Sequence, residues 1–211
     1  MLDKHSYSIS DFPETKLQDI INQLDQSGFA VADDFISNET LSGLLGRIIS
    51  LDDLGLFEPT ESLDERFVSE KVNYNQGQRL YFTEEEKLKT AVIDLMDQLH
   101  HLATVVSEHY QLSITIQELH YSVFFENAVY SKHTDSTPEH SNRKFSFLIY
   151  LNNNWEEESG GALKLFPYGD EEAVNILPLA ARLVIFDSEK IPHEVLAAKR
   201  NRYAIKGYFS I

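Results

Sequence analysis

The sequence contains no cysteine among its 211 residues. A disulfide framework and a thiolate metal site are therefore excluded, so any metal ion must be held by histidine, aspartate or glutamate. Apolar runs are also short, and none approaches the ~18 residues that a transmembrane helix needs. Residues 1–5 lack the apolar core of a signal peptide. We therefore expect no membrane segment and a cytoplasmic location.

Basic residues are scarce as well. Only 18 Lys and Arg stand against 34 Asp and Glu, which gives a formal net charge of −16. Binding to nucleic acid or to an anionic membrane requires clustered Lys and Arg for phosphate contacts, so we expect neither partner. The acidity would suit a basic partner, although it more often serves only solubility.

The first half of the chain has the apolar spacing of helices. Apolar stripes predict one helix from about Glu14 and a second after an N-cap at Ser37 or Asn38, with a short strand at 29–31 between them. Thr83 followed by three glutamates forms a capping box, which predicts that the longest helix begins there. Its apolar stripe starts at Leu88. Residues 60–80 show no sustained period, which is compatible with a lid, a binding loop, disorder or a short hairpin.

The second half of the chain changes to a period of two. Its segments are rich in β-branched and aromatic residues, which predicts strands. Helices followed by strands favour a helical layer on a sandwich or barrel of mostly antiparallel sheet. The length predicts one domain over 1–211. Within it we expect mainly helical support plus the loop 60–80 over about 14–110, and a β core over about 111–211.

A histidine and an aspartate stand two residues apart after one of the predicted strands. On an extended backbone His133 and Asp135 point to the same side, roughly 6.5–7 Å apart along the chain, so they can converge on one metal ion. His193 is a third candidate because it follows an apolar strand and Pro192. Two histidines and one carboxylate with open positions are typical of non-haem Fe(II) oxygenases. Zinc is the main alternative metal, and the spacing of two arises by chance in many chains.

Arg202 stands nine residues after His193 and opens the last predicted strand. A buried arginine favours a bidentate carboxylate partner. That partner is either a bound carboxylate ligand or an Asp or Glu of the protein itself, and the spacing does not decide between them.

Three groups of residues together resemble the prolyl hydroxylase family of 2-oxoglutarate- and Fe(II)-dependent oxygenases. They are residues 147–155, residues 159–163, and residues 192–195 with 202–205. Within that family, the hypoxia-factor prolyl hydroxylases and the short bacterial relatives that act on elongation factor Tu are the most similar. The resemblance spans residues 120–210, and the N-terminal half fits more loosely.

The resemblance implies an α+β fold, in which a double-stranded β-helix (a jelly-roll) is supported by N-terminal helices. It implies that His133, Asp135 and His193 hold Fe(II). Arg202 matches the residue that pairs with the distal carboxylate of 2-oxoglutarate, and Tyr150 matches the tyrosine whose hydroxyl joins it. O₂ would be the second co-substrate, with ascorbate as the reductant.

Three further residues match pocket positions of the family. Tyr130 matches a tyrosine near the substrate, and residues 60–80 occupy the place of the mobile loop that closes over the peptide. Phe124 stands where relatives usually carry a tyrosine near the iron-bound carboxylate. The lost hydroxyl, worth around 1 kcal/mol, implies weaker co-substrate binding. Tyr208 replaces a tryptophan and alters the shape of the pocket.

The implied function is hydroxylation of a prolyl residue in a protein or peptide, with succinate and CO₂ as co-products and elongation factor Tu as a candidate substrate. One alternative is the same chemistry on a free amino acid, a small metabolite or a non-prolyl side chain. Another is a non-catalytic jelly-roll module that retains a metal structurally. An open groove beside 60–80 would favour a peptide, and an ordered wall over a small pocket would favour a small substrate.

Overall fold

The structure is a computed structural model that describes residues 12–60, 76–169 and 172–211. The described residues form three α-helices and eleven strands. The helices are α1 (Glu14–Ser27), α2 (Asn38–Asp53) and α3 (Thr90–Tyr110). The strands are β1 (Phe29–Ala32), β2 (Glu58–Pro59), β3 (Gly77–Tyr81), β4 (Thr115–Phe124), β5 (Tyr130–His133), β6 (Arg143–Tyr150), β7 (Leu163–Leu165), β8 (Val174–Ile176), β9 (Leu183–Asp187), β10 (His193–Val195) and β11 (Arg202–Ser210).

The first two helices begin and end as their sequences predict. The Ser37 hydroxyl accepts a hydrogen bond from the Thr40 amide at 3.1 Å and caps α2. Helix α1 ends at Gly28, whose φ of 78° lies in the left-handed region that glycine adopts without strain. The apolar stripe of α1 is buried, as the helical spacing of Leu17, Ile20 and Leu24 predicts.

The predicted start of the longest helix is wrong by several residues. The Thr83 hydroxyl does accept a hydrogen bond from the Glu86 amide at 3.1 Å, but it caps only a single 3₁₀ turn, Glu86–Leu88. Lys89 is then extended, with ψ of 136°, and α3 starts at Thr90. Leu88 is 76% exposed and lies outside the buried stripe.

The physical reason lies in the side chain of Glu86, which is turned into the protein. Its carboxylate accepts a hydrogen bond from Arg47 Nε that is shared between both oxygens and a second from Arg47 Nη2, and it also accepts one from the Tyr121 hydroxyl at 2.9 Å. This buried pairing between the 3₁₀ turn, α2 and β4 replaces the continuous helix that local sequence favours.

The strands form two antiparallel sheets. The larger sheet has the order β1-β9-β6-β11-β4-β3-β2, and the smaller sheet has the order β5-β10-β7-β8. Alternate residues of β6 face different layers: Phe147 and Ile149 pack with the helices, whereas Leu148 and Tyr150 pack between the two sheets. The molecule therefore has three layers, with the helices covering one face of the larger sheet and the smaller sheet covering the other.

The part of the chain before residue 111 also contributes strands. β1 forms one edge of the larger sheet, and β2 pairs with β3 near the other edge, with Glu58 opposite Arg79. Residues 77–80, at the end of the segment 60–80, thus belong to strand β3, and the alternative of a short hairpin within that segment stays a prediction. Residues 61–75, the centre of the predicted loop 60–80, lie outside the described residues, so the predicted lid stays a prediction. None of the helices in the described ranges has the length and apolarity that crossing a bilayer requires.

Candidate metal and co-substrate site

The two predicted metal-ligating histidines meet across a pair of short strands. β5 and β10 are antiparallel, and His133 lies opposite His193 in their register. Nε2 of His133 is 3.5 Å from Oδ1 of Asp135, and Nε2 of His193 is 3.7 Å from Oδ2 of the same carboxylate. The three ligand atoms that these residues offer lie within 4.8 Å of one another. The structure thus brings together all three residues that the sequence predicts as ligands.

Both imidazoles are oriented by the backbone. Nδ1 of His133 lies 2.7 Å from the Ser131 carbonyl, and Nδ1 of His193 lies 3.2 Å from the Ile191 carbonyl. Because a carbonyl oxygen only accepts hydrogen bonds, each Nδ1 carries the hydrogen and each Nε2 keeps its lone pair. A lone pair on Nε2 that points at a neighbouring carboxylate is the arrangement that a divalent metal ion requires.

The same atoms lack partners inside the protein. His133 Nε2 and Asp135 Oδ2 are buried and have no hydrogen-bond partner in the described ranges. Buried polar atoms without partners are rare and costly. A metal ion bound to both would satisfy them, and two nitrogens with one carboxylate oxygen suit Fe(II), Mn(II) or Zn(II). The residues present therefore fit the predicted metal.

The charge states of His193 and Asp135 also suit a metal ion. Burial, helped by the neighbouring His133, lowers the pKa of His193 to about 3, so its imidazole is neutral near pH 7. Burial on its own raises the pKa of Asp135, but Lys206 and the two imidazoles outweigh burial and hold that pKa well below its ordinary value. His193 thus offers a neutral nitrogen and Asp135 an ionised carboxylate, the forms in which these side chains bind a metal ion.

Aromatic rings fix the orientation of the two imidazoles. The Tyr130 ring stacks on His133 with ring centroids 3.6 Å apart and planes 21° apart. Phe186 packs against His193 with centroids 4.6 Å apart. Tyr130 therefore lies beside the ligand set, as the sequence predicts for a pocket residue.

A cavity between the sheets connects the ligand set with the first residues of β11. It is lined by Asp135, His193 and Arg202, and also by the three predicted pocket residues Tyr130, Phe124 and Tyr208. Tyr150 is not among its lining residues in the described part of the chain. It is fully buried next to Arg202, with its ring centroid 5.6 Å from the guanidinium carbon.

Arg202 is a buried cation without an acidic partner in the ranges described. It is only 2% exposed, its Nη1 donates to the Gly161 carbonyl at 3.1 Å, and its Nε has no partner. Burial lowers its pKa, and the Phe124 ring lies 4.7 Å from the guanidinium. Among the described residues, Arg202 therefore does not form the salt bridge with Asp or Glu that the sequence left open as an alternative.

The hydroxyl of Tyr150, like Nε of Arg202, is a buried polar group without a hydrogen-bond partner in the described ranges. Burial also raises the pKa of this tyrosine, so the hydroxyl keeps its proton and can donate it. An arginine N–H and a tyrosine O–H that both lack acceptors fit one carboxylate of a bound ligand.

Sequence reasoning missed Lys206 as a site residue. Its ammonium donates a hydrogen bond to Asp135 Oδ1 at 3.0 Å and lines the same cavity. Burial favours the neutral amine, but the Asp135 carboxylate outweighs burial and raises the pKa of Lys206 above its ordinary value. A signal was present in the sequence, because Lys206 shares a strand face with Arg202 under a period of two.

Arg143 and Glu118 were missed as well. The Arg143 guanidinium lies 3.9 Å from the centroid of the Tyr208 ring and donates to the Asp135 carbonyl at 3.1 Å. It also forms a short ion pair with Glu118. This pair holds Tyr208 at the wall of the cavity and ties the residue after the β5 end to β4 and β6.

Comparison with known proteins agrees with this geometry. Residues 118–210 match the family model described as the 2OG-Fe(II) oxygenase superfamily. The chain is 28% identical over 202 residues to Egl nine homolog 1 of Rattus norvegicus, which covers 92% of this chain and 58% of that protein. It is 26% identical over 195 residues to the hypoxia-inducible factor prolyl hydroxylase of Caenorhabditis elegans, covering 88% and 27%. The chain thus spans less than two thirds of the length of these relatives.

Solved structures share the fold. A prolyl-4-hydroxylase of Pseudomonas putida superposes with a TM-score of 0.81 at 24% identity, covering 92% of this chain and 98% of that one. A prolyl hydroxylase in complex with a hypoxia inducible factor peptide fragment from Trichoplax adhaerens gives 0.80 at 24% identity, covering 95% and 94%. The two antiparallel sheets and these matches confirm the predicted α+β double-stranded β-helix.

Proposed function

We propose that this chain is an Fe(II)- and 2-oxoglutarate-dependent dioxygenase that hydroxylates a prolyl residue of a protein, in keeping with the match of residues 118–210 to the 2OG-Fe(II) oxygenase superfamily. One observation carries the proposal. A buried set of His133, Asp135 and His193 with unpartnered ligand atoms shares a cavity with Arg202, a buried cation that has no acidic partner in the part of the chain described.

The residues divide the work between them. His133, Asp135 and His193 would hold the iron, while Arg202 and the Tyr150 hydroxyl would bind the distal carboxylate of 2-oxoglutarate. Bound iron would supply the activation of O₂, in which 2-oxoglutarate is oxidised to succinate and CO₂ and the second oxygen atom enters the substrate. The protein's contribution is to position these groups and to exclude water. Phe124 and Tyr130 supply apolar surface at the cavity for that purpose.

A protein substrate is supported by the relatives. Several are named prolyl hydroxylases, and the one from Trichoplax adhaerens is in complex with a peptide. Elongation factor Tu is the first candidate for this chain, and ascorbate is the reductant that would keep the iron as Fe(II). The cytoplasmic location, and the division into support over 14–110 and core over 111–211, belong to the same proposal.

Metal-dependent turnover is the first test. Purified protein with Fe(II), ascorbate and 2-oxoglutarate should form succinate, and omission of iron should abolish it. Asp135→Ala should lose both succinate formation and Mn(II) binding by calorimetry while it keeps the circular dichroism spectrum of the parent. Asp33→Ala is the control, because Asp33 pairs with Arg182 outside the cavity. Undiminished turnover in Asp135→Ala would contradict the assignment.

The substrate is a separate question with its own measurement. A cell lysate incubated with the enzyme and its co-substrates is analysed by mass spectrometry for peptides that gain one oxygen atom. We expect the gain on proline, with elongation factor Tu examined first. Gains found only on other residues or on free metabolites would favour the alternative substrates, and failure to bind 2-oxoglutarate with Mn(II) present would favour the non-catalytic module.

A further inference from the structure

The cavity holds a second buried cation besides Arg202. Lys206 stands four residues further along β11, with a side chain that is only 16% exposed. Its ammonium lies 3.0 Å from Oδ1 of Asp135, and Asp135 is the one acidic residue in the described ranges with which it pairs. Lys206 is therefore paired with Asp135, the carboxylate that the proposed metal ion requires as a ligand.

A metal ion and an ammonium group make competing demands on this carboxylate. Oδ2 of Asp135 faces His193 and has no hydrogen-bond partner in the described residues, but the Lys206 ammonium at Oδ1 neutralises the negative charge that would attract a divalent cation. Like charges a few Å apart in a buried site repel strongly, because the effective dielectric constant is far below that of water. Lys206 therefore opposes the binding of a metal ion that arrives alone.

The charges that line the buried cavity point to the compensating ligand. Glu118 is taken up by Arg143. Once Asp135 serves a metal ion, Arg202 and Lys206 are the two cations of β11 left in the cavity without a carboxylate. Arg79 of β3 also lines the cavity, and its guanidinium lies 5.1 Å from the centroid of the Tyr81 ring. The Cα atoms of Arg202 and Lys206 are roughly 13 Å apart on an extended strand, and both side chains reach into the same space. Two unpaired cations at this separation match a short dicarboxylate, with one carboxylate for each.

We propose that Lys206 is a co-substrate-positioning residue that exchanges partners. In the absence of co-substrate it pairs with Asp135, and in the loaded enzyme it holds the carboxylate of 2-oxoglutarate that lies on the metal side, opposite Arg202. The inference rests on the proposed function and assigns a role to a residue outside the ligand set. It requires that Lys206 affects the metal ion and the dicarboxylate in opposite directions.

Calorimetry on one variant measures both directions. Lys206→Met keeps the length of the side chain and removes its charge. It should bind Mn(II) alone about tenfold more tightly than the parent, and it should bind 2-oxoglutarate in saturating Mn(II) about tenfold more weakly. Lys206→Arg keeps the charge, so both affinities should stay within about threefold of the parent values.

Controls separate this role from a purely structural one. Lys144→Met is the matched control, because Lys144 pairs with buried Asp187 rather than with a ligand, and it should change neither affinity. If Lys206→Met does not fold, Lys206→Gln carries the same measurements. Weaker binding of both ligands, or no change in either, overturns the role of Lys206 while the proposed function stands. A parent protein that binds neither Mn(II) nor 2-oxoglutarate overturns the proposed function and this inference together.

Discussion

Tyr150 and Arg202 show how single residues keep a site ready for a ligand. Each has a buried polar atom without a hydrogen-bond partner in the described structure, the Tyr150 hydroxyl and the Arg202 Nε. Such an atom costs about 1–3 kcal/mol relative to one that is satisfied. The protein bears this cost in its ligand-free form, and the carboxylate that we propose binds there would recover it.

Tyr150→Phe tests this interpretation directly. Removal of the hydroxyl should raise the KM for 2-oxoglutarate about fivefold, because it removes one hydrogen bond worth ~1 kcal/mol. It should leave Mn(II) affinity unchanged, and it should not lower the free energy of unfolding of the ligand-free protein, since the hydroxyl has no partner to lose there. Tyr203→Phe is the control, because the Tyr203 hydroxyl donates to Asp52 at 3.0 Å away from the site. An unchanged KM in Tyr150→Phe would rule out the proposed role of the hydroxyl.

The sequence predicts some of these residues better than others, for a physical reason. His133 and Asp135 are found from spacing alone, because two residues on an extended backbone face the same way. The partner of Asp135, Lys206, cannot be predicted from spacing, because their contact depends on where β11 lies relative to the end of β5. That relation between distant segments is set by the packing of two sheets. The shared strand face of Lys206 and Arg202 can be seen in the sequence, but the pairing of Lys206 with Asp135 follows only from the structure.

At the scale of elements, β4 and β11 form a wall of the cavity and carry three of its charged side chains, Glu118, Arg202 and Lys206. Their register shifts between Lys206 and Tyr208, where Lys206 lies opposite His120 and Tyr208 lies opposite Gln117. Glu118 in the bulge has a φ of 54°, an uncommon conformation for a residue with a side chain. The bulge therefore sets which side chains of the two strands reach the cavity.

Gly207 lies on β11 at the bulge, between Lys206 and Tyr208, where a larger residue would not fit. A Cβ added there would lie 2.6 Å from Cζ of Phe147 and 3.2 Å from Cδ1 of Leu119. Phe147 is fully buried, so its ring cannot give way toward solvent. Gly207→Ala should therefore lower the free energy of unfolding by ~1–3 kcal/mol, measured by urea denaturation. It should also weaken 2-oxoglutarate binding, because Lys206 and Tyr208 flank the displaced backbone.

Helix α2 offers the matched control for that substitution. An added Cβ at Gly46 has no atom within 4 Å, and the residue is exposed. Gly46→Ala should raise the free energy of unfolding by up to ~1 kcal/mol, because alanine is the better helix former. If both variants shifted stability in the same direction, close packing at Gly207 would not be the cause.

The start of α3 shows where local signals fail at this scale. The hydrogen bond predicted for the capping box at Thr83 is present. The helix nevertheless begins at Thr90, because the Glu86 side chain forms buried hydrogen bonds with Arg47 and Tyr121. A long-range ion pair of this kind outweighs helix propensity, which is worth less than 1 kcal/mol per residue. The buried stripe from Val92 to Val106 was predictable because it depends only on periodicity.

At the scale of the whole molecule, the three layers bury titratable side chains, and the net charge of the chain gives no indication of them. His120 on β4 is 7% exposed, with Nδ1 against the Glu118 carbonyl and its ring 5.3 Å from that of Tyr81. Burial lowers the pKa of His120 from 6.5 to about 4. The protein thus keeps this imidazole neutral over a range of pH in which the unfolded chain binds a proton.

The sign of the resulting pH dependence follows from linkage. Between pH 6.5 and about 4 the unfolded chain binds more protons at His120 than the folded chain does, so the free energy of unfolding falls as the pH falls. The contribution of His120 is fully present above pH 6.5, and about 3 kcal/mol of it is lost by pH 4.

Urea denaturation in chelator at several pH values between 4 and 7 measures this loss. In His120→Gln the loss should be smaller by that amount, whereas His100→Gln, which changes an exposed histidine on α3, should keep the parent profile. A His120→Gln profile as steep as that of the parent would place the acid sensitivity elsewhere in the molecule.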